Sequence, residues 1–345
     1  MNRPLPLIAL LVLVLAACSP AAQDVSPGKT STQHAEPSTP RSPASTTPPE
    51  PDVNPADVGA NELGEIPVLM YHRILPDGGG EYDLTPDEFR AELAYLHEHD
   101  YHPIRTVDLV RGEIDVPAGT TPVVLTFDDS TREQFGMSGD DEVDSDSAVG
   151  ILLEFAEEHS DFTPTGSFYV VGSLFGGTAE RGKKLLRQLH EWGFEIGNHT
   201  ISHANLSRLG ASEVQAELAA GAAHIHDAVP DAEVATMSLP HGASPAEPEL
   251  AQYGSHDGQE YRHEGILLVG SNPAPSPFAT EFDPVAIPRI RSGPDGDLES
   301  GYWFEIFERE PERRYVSDGD PSTISFPEER SEELAPEFAD RANPY

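Results

Sequence analysis

From residue 66 onward, short runs that are apolar at nearly every position alternate with longer stretches of helical periodicity, and this rhythm constrains the fold more than any other feature of the chain. The runs "IPVLMY" (66–71), "PVVLTF" (122–127), "GSFYVV" (166–171) and "FEIGN" (194–198) read as strands, and weaker ones lie at 234–239, 265–269 and 285–290. A strand apolar on both faces has to be covered on both faces, which is the condition of a parallel sheet buried under helices. The intervening stretches carry helix signals. Thr85-Pro86-Asp87-Glu88 supplies an N-cap, a proline at the first helical position and an acid that reaches back. Phe89, Leu93 and Leu96 follow at helical spacing, "AVGILLEFAEEH" (148–159) is a second helix, and "AERGKKLLRQLHEW" (179–192) stops at Gly193. In "ASEVQAELAAGAAHIHDAV" (211–229), Ser212 and Gln215 occupy capping-box positions. The prediction is an α/β fold of parallel strands covered by helices. Six to eight such units closed into a barrel need roughly 250 residues.

The flanks differ in composition. Residues 5–17 are apolar after an early Arg3, too short for a bilayer span of about 20 residues but suited to an export signal. They end in Leu15-Ala16-Ala17-Cys18, which resembles the lipobox of bacterial lipoproteins and implies cleavage before Cys18 with lipid on its sulfur. Cys18 is the only cysteine, so neither an internal disulfide nor a cysteine metal cage is available. Residues 18–64 are rich in Pro, Ser and Thr and read as a disordered tether. The expected division is a signal peptide at 1–17, the tether at 18–64, a catalytic domain at 65–318 and a loosely ordered acidic tail at 319–345. This places the domain outside the cytoplasm, anchored to the cell membrane. A net charge of −39, with 60 acidic against 21 basic residues, argues against nucleic acid as a partner. Nothing in the sequence defines an oligomer.

In parallel α/β folds, functional groups gather at the C-terminal ends of strands. "LTFDDS" (125–130) ends an apolar strand in two adjacent carboxylates, Asp128 and Asp129. Like charges side by side repel, and an apolar strand is an expensive place for them unless a cation is near. "GNHTISHANLS" (197–207) ends another strand with His199 and His203 four residues apart. On a helical turn that spacing points both imidazoles the same way. One aspartate, two histidines and an open position suit a catalytic zinc site.

These residues resemble the polysaccharide deacetylase family (NodB homology, carbohydrate esterase family four). Thr126-Phe127-Asp128-Asp129 looks like its first motif and His199-Thr200-Ile201-Ser202-His203 its second. The resemblance implies a distorted (β/α)7-type barrel and a divalent metal, most simply Zn2+, held by Asp129, His199 and His203, with Asp128 as catalytic base. It also implies an acetylated polysaccharide as substrate, with N-acetylglucosamine-containing glycan the first choice and acetylated xylan the alternative.

The third motif departs from the pattern. Where the family reads Arg-x-Pro-aromatic-Gly, this chain has Ser238-Leu239-Pro240-His241-Gly242. Pro240 and Gly242 keep the loop and leave Pro240 beside the substrate, but the arginine that orients the base is missing. The family's late Leu-x-His is also absent. Arg289, ending a late strand, is the candidate to orient Asp128, and His241 the candidate acid. His72, ending the first strand in "LMYHRI", is a candidate substrate or supporting contact. The competing reading is a deacetylase-like binder that keeps its metal but not its turnover. Residues 138–147, "SGDDEVDSDS", lack EF-hand spacing and read as a solvated acidic insert. Tyr169, Trp192 and Trp303 are conceivable sugar contacts, with Trp192 more at home in the core.

Overall fold

The computed structural model describes residues 53–139, 142–293 and 296–345. The signal peptide, Cys18 and most of the expected tether lie outside the described residues. Among the described residues no helix is long and apolar enough to cross a membrane.

Among the described residues, eight parallel strands form the central sheet: β1 (Val68–Tyr71), β2 (Tyr101–Ile104), β3 (Thr121–Asp128), β4 (Ser167–Val170), β5 (Glu195–Asn198), β6 (Thr236–Ser238), β7 (Gly265–Leu267) and β8 (Ile290–Arg291). Their order is β7-β6-β5-β4-β3-β1-β8, with β2 paired to residues 121–124 of β3. The two edges meet through one stretch of chain. Ile287 bridges to Leu267 of β7, while Ile290 and Arg291 pair with Leu69 and Met70 of β1. The sheet therefore curls into a distorted barrel, with residues 287–291 as its seam.

Helices α1 (Pro86–Glu98), α2 (Thr106–Arg111), α3 (Ala148–Glu158), α4 (Ala179–Glu191), α5 (Ala211–Ala228) and α6 (Ser300–Arg309) accompany the strands. The α1 start is the capping box read from the sequence: Thr85 Oγ1 accepts from Glu88 N at 3.1 Å, and Glu88 Oε2 accepts from Thr85 N at 2.7 Å. The α5 start differs, because Gly210 is the N-cap and Glu213 the residue that reaches back to it, at 2.9 Å. Gly210 adopts the extended backbone that an N-cap needs, so the helix begins ahead of Ser212.

The strands' two faces feed two cores. Leu69, Tyr71, Leu125, Phe127 and Phe168 pack under the helices, whereas Val68, Val124, Tyr169 and Leu267 line the interior. The flanking segments depart from their expected character. Ala60 and Leu63 are buried, and the Glu62 carboxylate accepts bonds from Tyr315 Oη (3.0 Å) and Ser325 N (2.7 Å). The C-terminal segment is likewise packed, with Ile324, Ser325 and Phe326 pairing in parallel with residues 342–344 and Asp318 accepting from Thr323 and Ser325. Polar composition concealed this, since a few apolar side chains and two buried carboxylates, Glu62 and Asp318, suffice to tie both segments to the barrel.

Candidate active site

The period of β3 fixes the first carboxylate. Val124 points to the interior and Leu125 and Phe127 to the helices, so Thr126 and Asp128 fall on the interior face at the strand's C-terminal end. Strict alternation would send Asp129 the other way. Instead Asp129 (φ 80°) and Ser130 (φ 46°) take left-handed backbone, the strand stops, and the second carboxylate swings over the same mouth. Aspartate tolerates this region better than most residues, and strain of order 1–3 kcal/mol is typical of functional turns.

Arg289 is buried in the seam and meets Asp128 squarely. Its Nη1 donates to Asp128 Oδ1 at 2.9 Å and its Nη2 to Oδ2 at 2.7 Å. The guanidinium is itself held by Nε–H to Leu268 O (2.8 Å) and Nη1–H to Thr126 Oγ1 (3.1 Å). Ser238, at the end of β6, accepts from Arg289 Nη2 and donates to Asp128 Oδ2, both at 2.9 Å. Burial by itself would raise the Asp128 pKa. The Arg289 charge, with His199 and the Arg289 hydrogen bonds, outweighs it and holds the carboxyl well below the usual range.

Asp129 Oδ1 lies 3.5 Å from His199 Nε2 and 3.3 Å from His203 Nε2, and ligand atoms of the three residues all lie within 4.8 Å of one another. A tetrahedral metal with bonds of about 2.1 Å has ligand–ligand edges of roughly 3.4 Å, so both Asp–His spans suit one cation. The tautomer suits it too. His199 Nδ1 is 2.8 Å from the Ser238 carbonyl, which can only accept, so the proton sits on Nδ1 and Nε2 offers its lone pair. Burial pushes the His203 pKa down, which favours the neutral ligand form. The two histidines do not share a helical turn as their spacing suggested. Thr200 (φ 62°) and His203 (φ 56°) are both left-handed, and a loop brings the rings to 5.0 Å between centroids.

Two further imidazoles flank the mouth. His241 is exposed on the 240–242 turn at φ 59°, its ring 4.6 Å from that of His203 and edge-on to it. Pro240 is buried and opens that turn. His72 is largely enclosed, with Nδ1 buried and without a hydrogen-bond partner. Burial lowers its pKa against the opposing pull of Asp128 and Asp129. Gln134 is a contributor the sequence reading missed: its Nε2 donates to the carbonyls of His72 (2.6 Å) and Asp128, joining β1 to β3 at the mouth. Nothing in the local sequence marks it. The aromatics proposed as sugar contacts lie elsewhere. Tyr169 is fully buried with Oη bonded to Thr236, and Trp303 is buried with Nε1–H donating to Ser271 O at 2.8 Å. Trp192 is the reverse of its expected core placement: as the C-cap of α4 it is 37% exposed and packs against Phe135.

A carboxylate and two imidazoles thus converge over the barrel mouth beside a second carboxylate clamped by arginine, a donor set able to hold a cation next to an ionised acid. Residues 115–256 match the family model for polysaccharide deacetylase. The match takes in Asp128, Asp129, His199, His203 and His241 and leaves His72 and Arg289 outside it. YxkH of Bacillus subtilis, named for polysaccharide deacetylation, is 22% identical over 170 residues, covering 49% of this chain and 54% of its own. The chitooligosaccharide deacetylase of Sinorhizobium fredii is 26% identical over 139 residues, covering 40% of this chain and 55% of its own. The chain thus spans about half the length of these curated relatives. Among solved structures, the Streptococcus pyogenes deacetylase PplD in complex with acetate superposes with a TM-score of 0.52 at 18% identity, over 69% of this chain and 97% of that one. That likeness is one of fold.

Proposed function

We propose that this protein is a metal-dependent hydrolase that removes acetyl groups from a carbohydrate polymer, with N-acetylglucosamine-containing glycan the first substrate class and acetylated xylan the enzymatic alternative. The observation that carries this reading is the Arg289–Asp128 pair. The orienting arginine is missing from the third motif, yet a guanidinium reaches the base from the seam of the barrel, and the small Ser238 at the vacated position joins the pair instead of blocking it.

Asp129, His199 and His203 are the residues to hold the metal, most simply zinc. When bound, such a metal polarises the acetyl carbonyl and lowers the pKa of water to roughly 7. Asp128 stays ionised throughout the working range and accepts the proton that the attacking water gives up, its orientation locked by Arg289 and Ser238. The departing amine or alcohol then needs a proton. His72 and His241 both stand at the mouth. His241 is favoured because it is exposed at the mouth beside His203, whereas burial lowers the His72 pKa and encloses its Nδ1, which suits a supporting contact. The N-terminal residues fit the same reading: a lipid on Cys18 would hold the domain at the outer side of a membrane, where glycan polymers lie.

The test is acetate release across a panel of acetylated polysaccharides by the wild type and Asp128→Asn. Release that the variant loses supports the reading. Release undiminished in the variant contradicts it.

A further inference from the structure

The metal-ligand loop hangs from a residue with no direct place in the chemistry. Asn198 is the last residue of β5 and is fully buried. Its Nδ2 donates to Leu218 O at 3.0 Å and lies 3.3 Å from His263 Nε2, while its Oδ1 accepts from Thr200 N at 2.9 Å. His263 fixes which way the amide points. Its Nδ1 is 2.7 Å from the Ala251 carbonyl, so Nδ1 carries the proton and Nε2 is the acceptor. Burial, which pushes the His263 pKa down to about 4, keeps that ring neutral. Each polar atom of the Asn198 side chain is therefore satisfied, and the bond to Thr200 N pins the left-handed residue between the two histidines.

The seat for this side chain is a notch in α5. Gly221 sits in the middle of that helix, where glycine is unfavourable relative to alanine. A Cβ at this position would stand 2.3 Å from Asn198 Oδ1 and 3.1 Å from its Cγ. We infer that Asn198, seated in the Gly221 notch and oriented by His263, is the positioning residue that holds His199 and His203 in register for a shared metal. The inference rests on the metal-hydrolase reading of the site and adds residues that its chemistry does not name.

The experiment is a double-mutant cycle on the full chain, with zinc affinity read by calorimetry, the Co2+ ligand-field spectrum as a second readout, and Tm of the metal-free protein recorded alongside. Gly221→Ala is expected to weaken zinc binding by about tenfold or more, the usual effect of losing support behind a ligand. Asn198→Ala is expected to do the same. In the Asn198→Ala background Gly221→Ala should cost no further affinity and should raise Tm, since only the better helix former remains. Gly221→Ala with wild-type affinity overturns the inference, as does an effect of equal size in both backgrounds. Wild-type protein that binds neither zinc nor Co2+ overturns the metal reading itself, and the two failures are thus distinct.

Discussion

Arg289 and Asp128, 161 residues apart in the chain, form a two-pronged ion pair at 2.7 and 2.9 Å in which neither side chain is more than 2% exposed. A pair this deep is stabilising only while it stays complete, because either partner left alone is an uncompensated buried charge. The pair also fixes the carboxylate's plane, which a lysine could not do with a single ammonium.

Arg289→Ala should therefore destabilise the fold by about 3–5 kcal/mol and abolish acetate release. Arg289→Lys should fold better and still lose most of its turnover. Ser238→Arg in the Arg289→Ala background restores a guanidinium from the family's usual position and should recover part of both, whereas Ser238→Arg alone crowds two guanidinia onto one carboxylate. Chemical denaturation and acetate release across the four variants check this. Additive losses with no recovery in the double variant would contradict it.

The proton donor is decided by comparing two histidines. His241→Ala should lower kcat by the 10²–10⁴-fold typical of a lost general acid, while His72→Ala, which removes an enclosed ring, should change it several-fold at most. The reverse order would give the acid role to His72.

Metal should stabilise the fold through the three proposed ligands. Zinc at a hundred times its Kd adds about 2.7 kcal/mol by mass action, several degrees in Tm for a domain of this size. The Asp129→Ala, His199→Ala double variant should show no shift. A shift retained in that variant would mean that zinc binds elsewhere.

A buried carboxyl far from the mouth sets a pH signature of its own. Burial first, and then the Asp318 charge, push Glu62 up to about 7 from an ordinary 4.5. The folded state thus holds this proton more tightly than the unfolded chain. The contribution is full below about pH 4.5 and is lost as pH rises through 7, amounting to roughly 3 kcal/mol. Relative to wild type, Glu62→Gln should gain stability steadily between pH 5 and 8. A difference independent of pH over that range would contradict the assignment.

What could be read from the sequence follows from what is local. The two carboxylates after an apolar strand, the paired histidines after another and the Thr85 capping box are short-range patterns, and each occurs where its residues place it. Arg289 could be suggested because it ends a late strand, but its hold on Asp128 depends on closure of the seam. The loop carrying His199 and His203 is not the helical turn that its spacing suggests, because spacing alone does not reveal that Thr200 and His203 are left-handed, with Thr200 N held by Asn198. The burial of residues 60–64 against 315–326 was hidden for the same reason, since the Glu62 partners are some 250 residues away.

The most direct measurement is acetate release from an N-acetylglucosamine oligomer by protein stripped with chelator and then reloaded with zinc. The account predicts that release stops on stripping and returns on reloading. Undiminished release without metal would contradict it, and so would zinc-loaded protein that releases no acetate from this oligomer or from any other acetylated glycan.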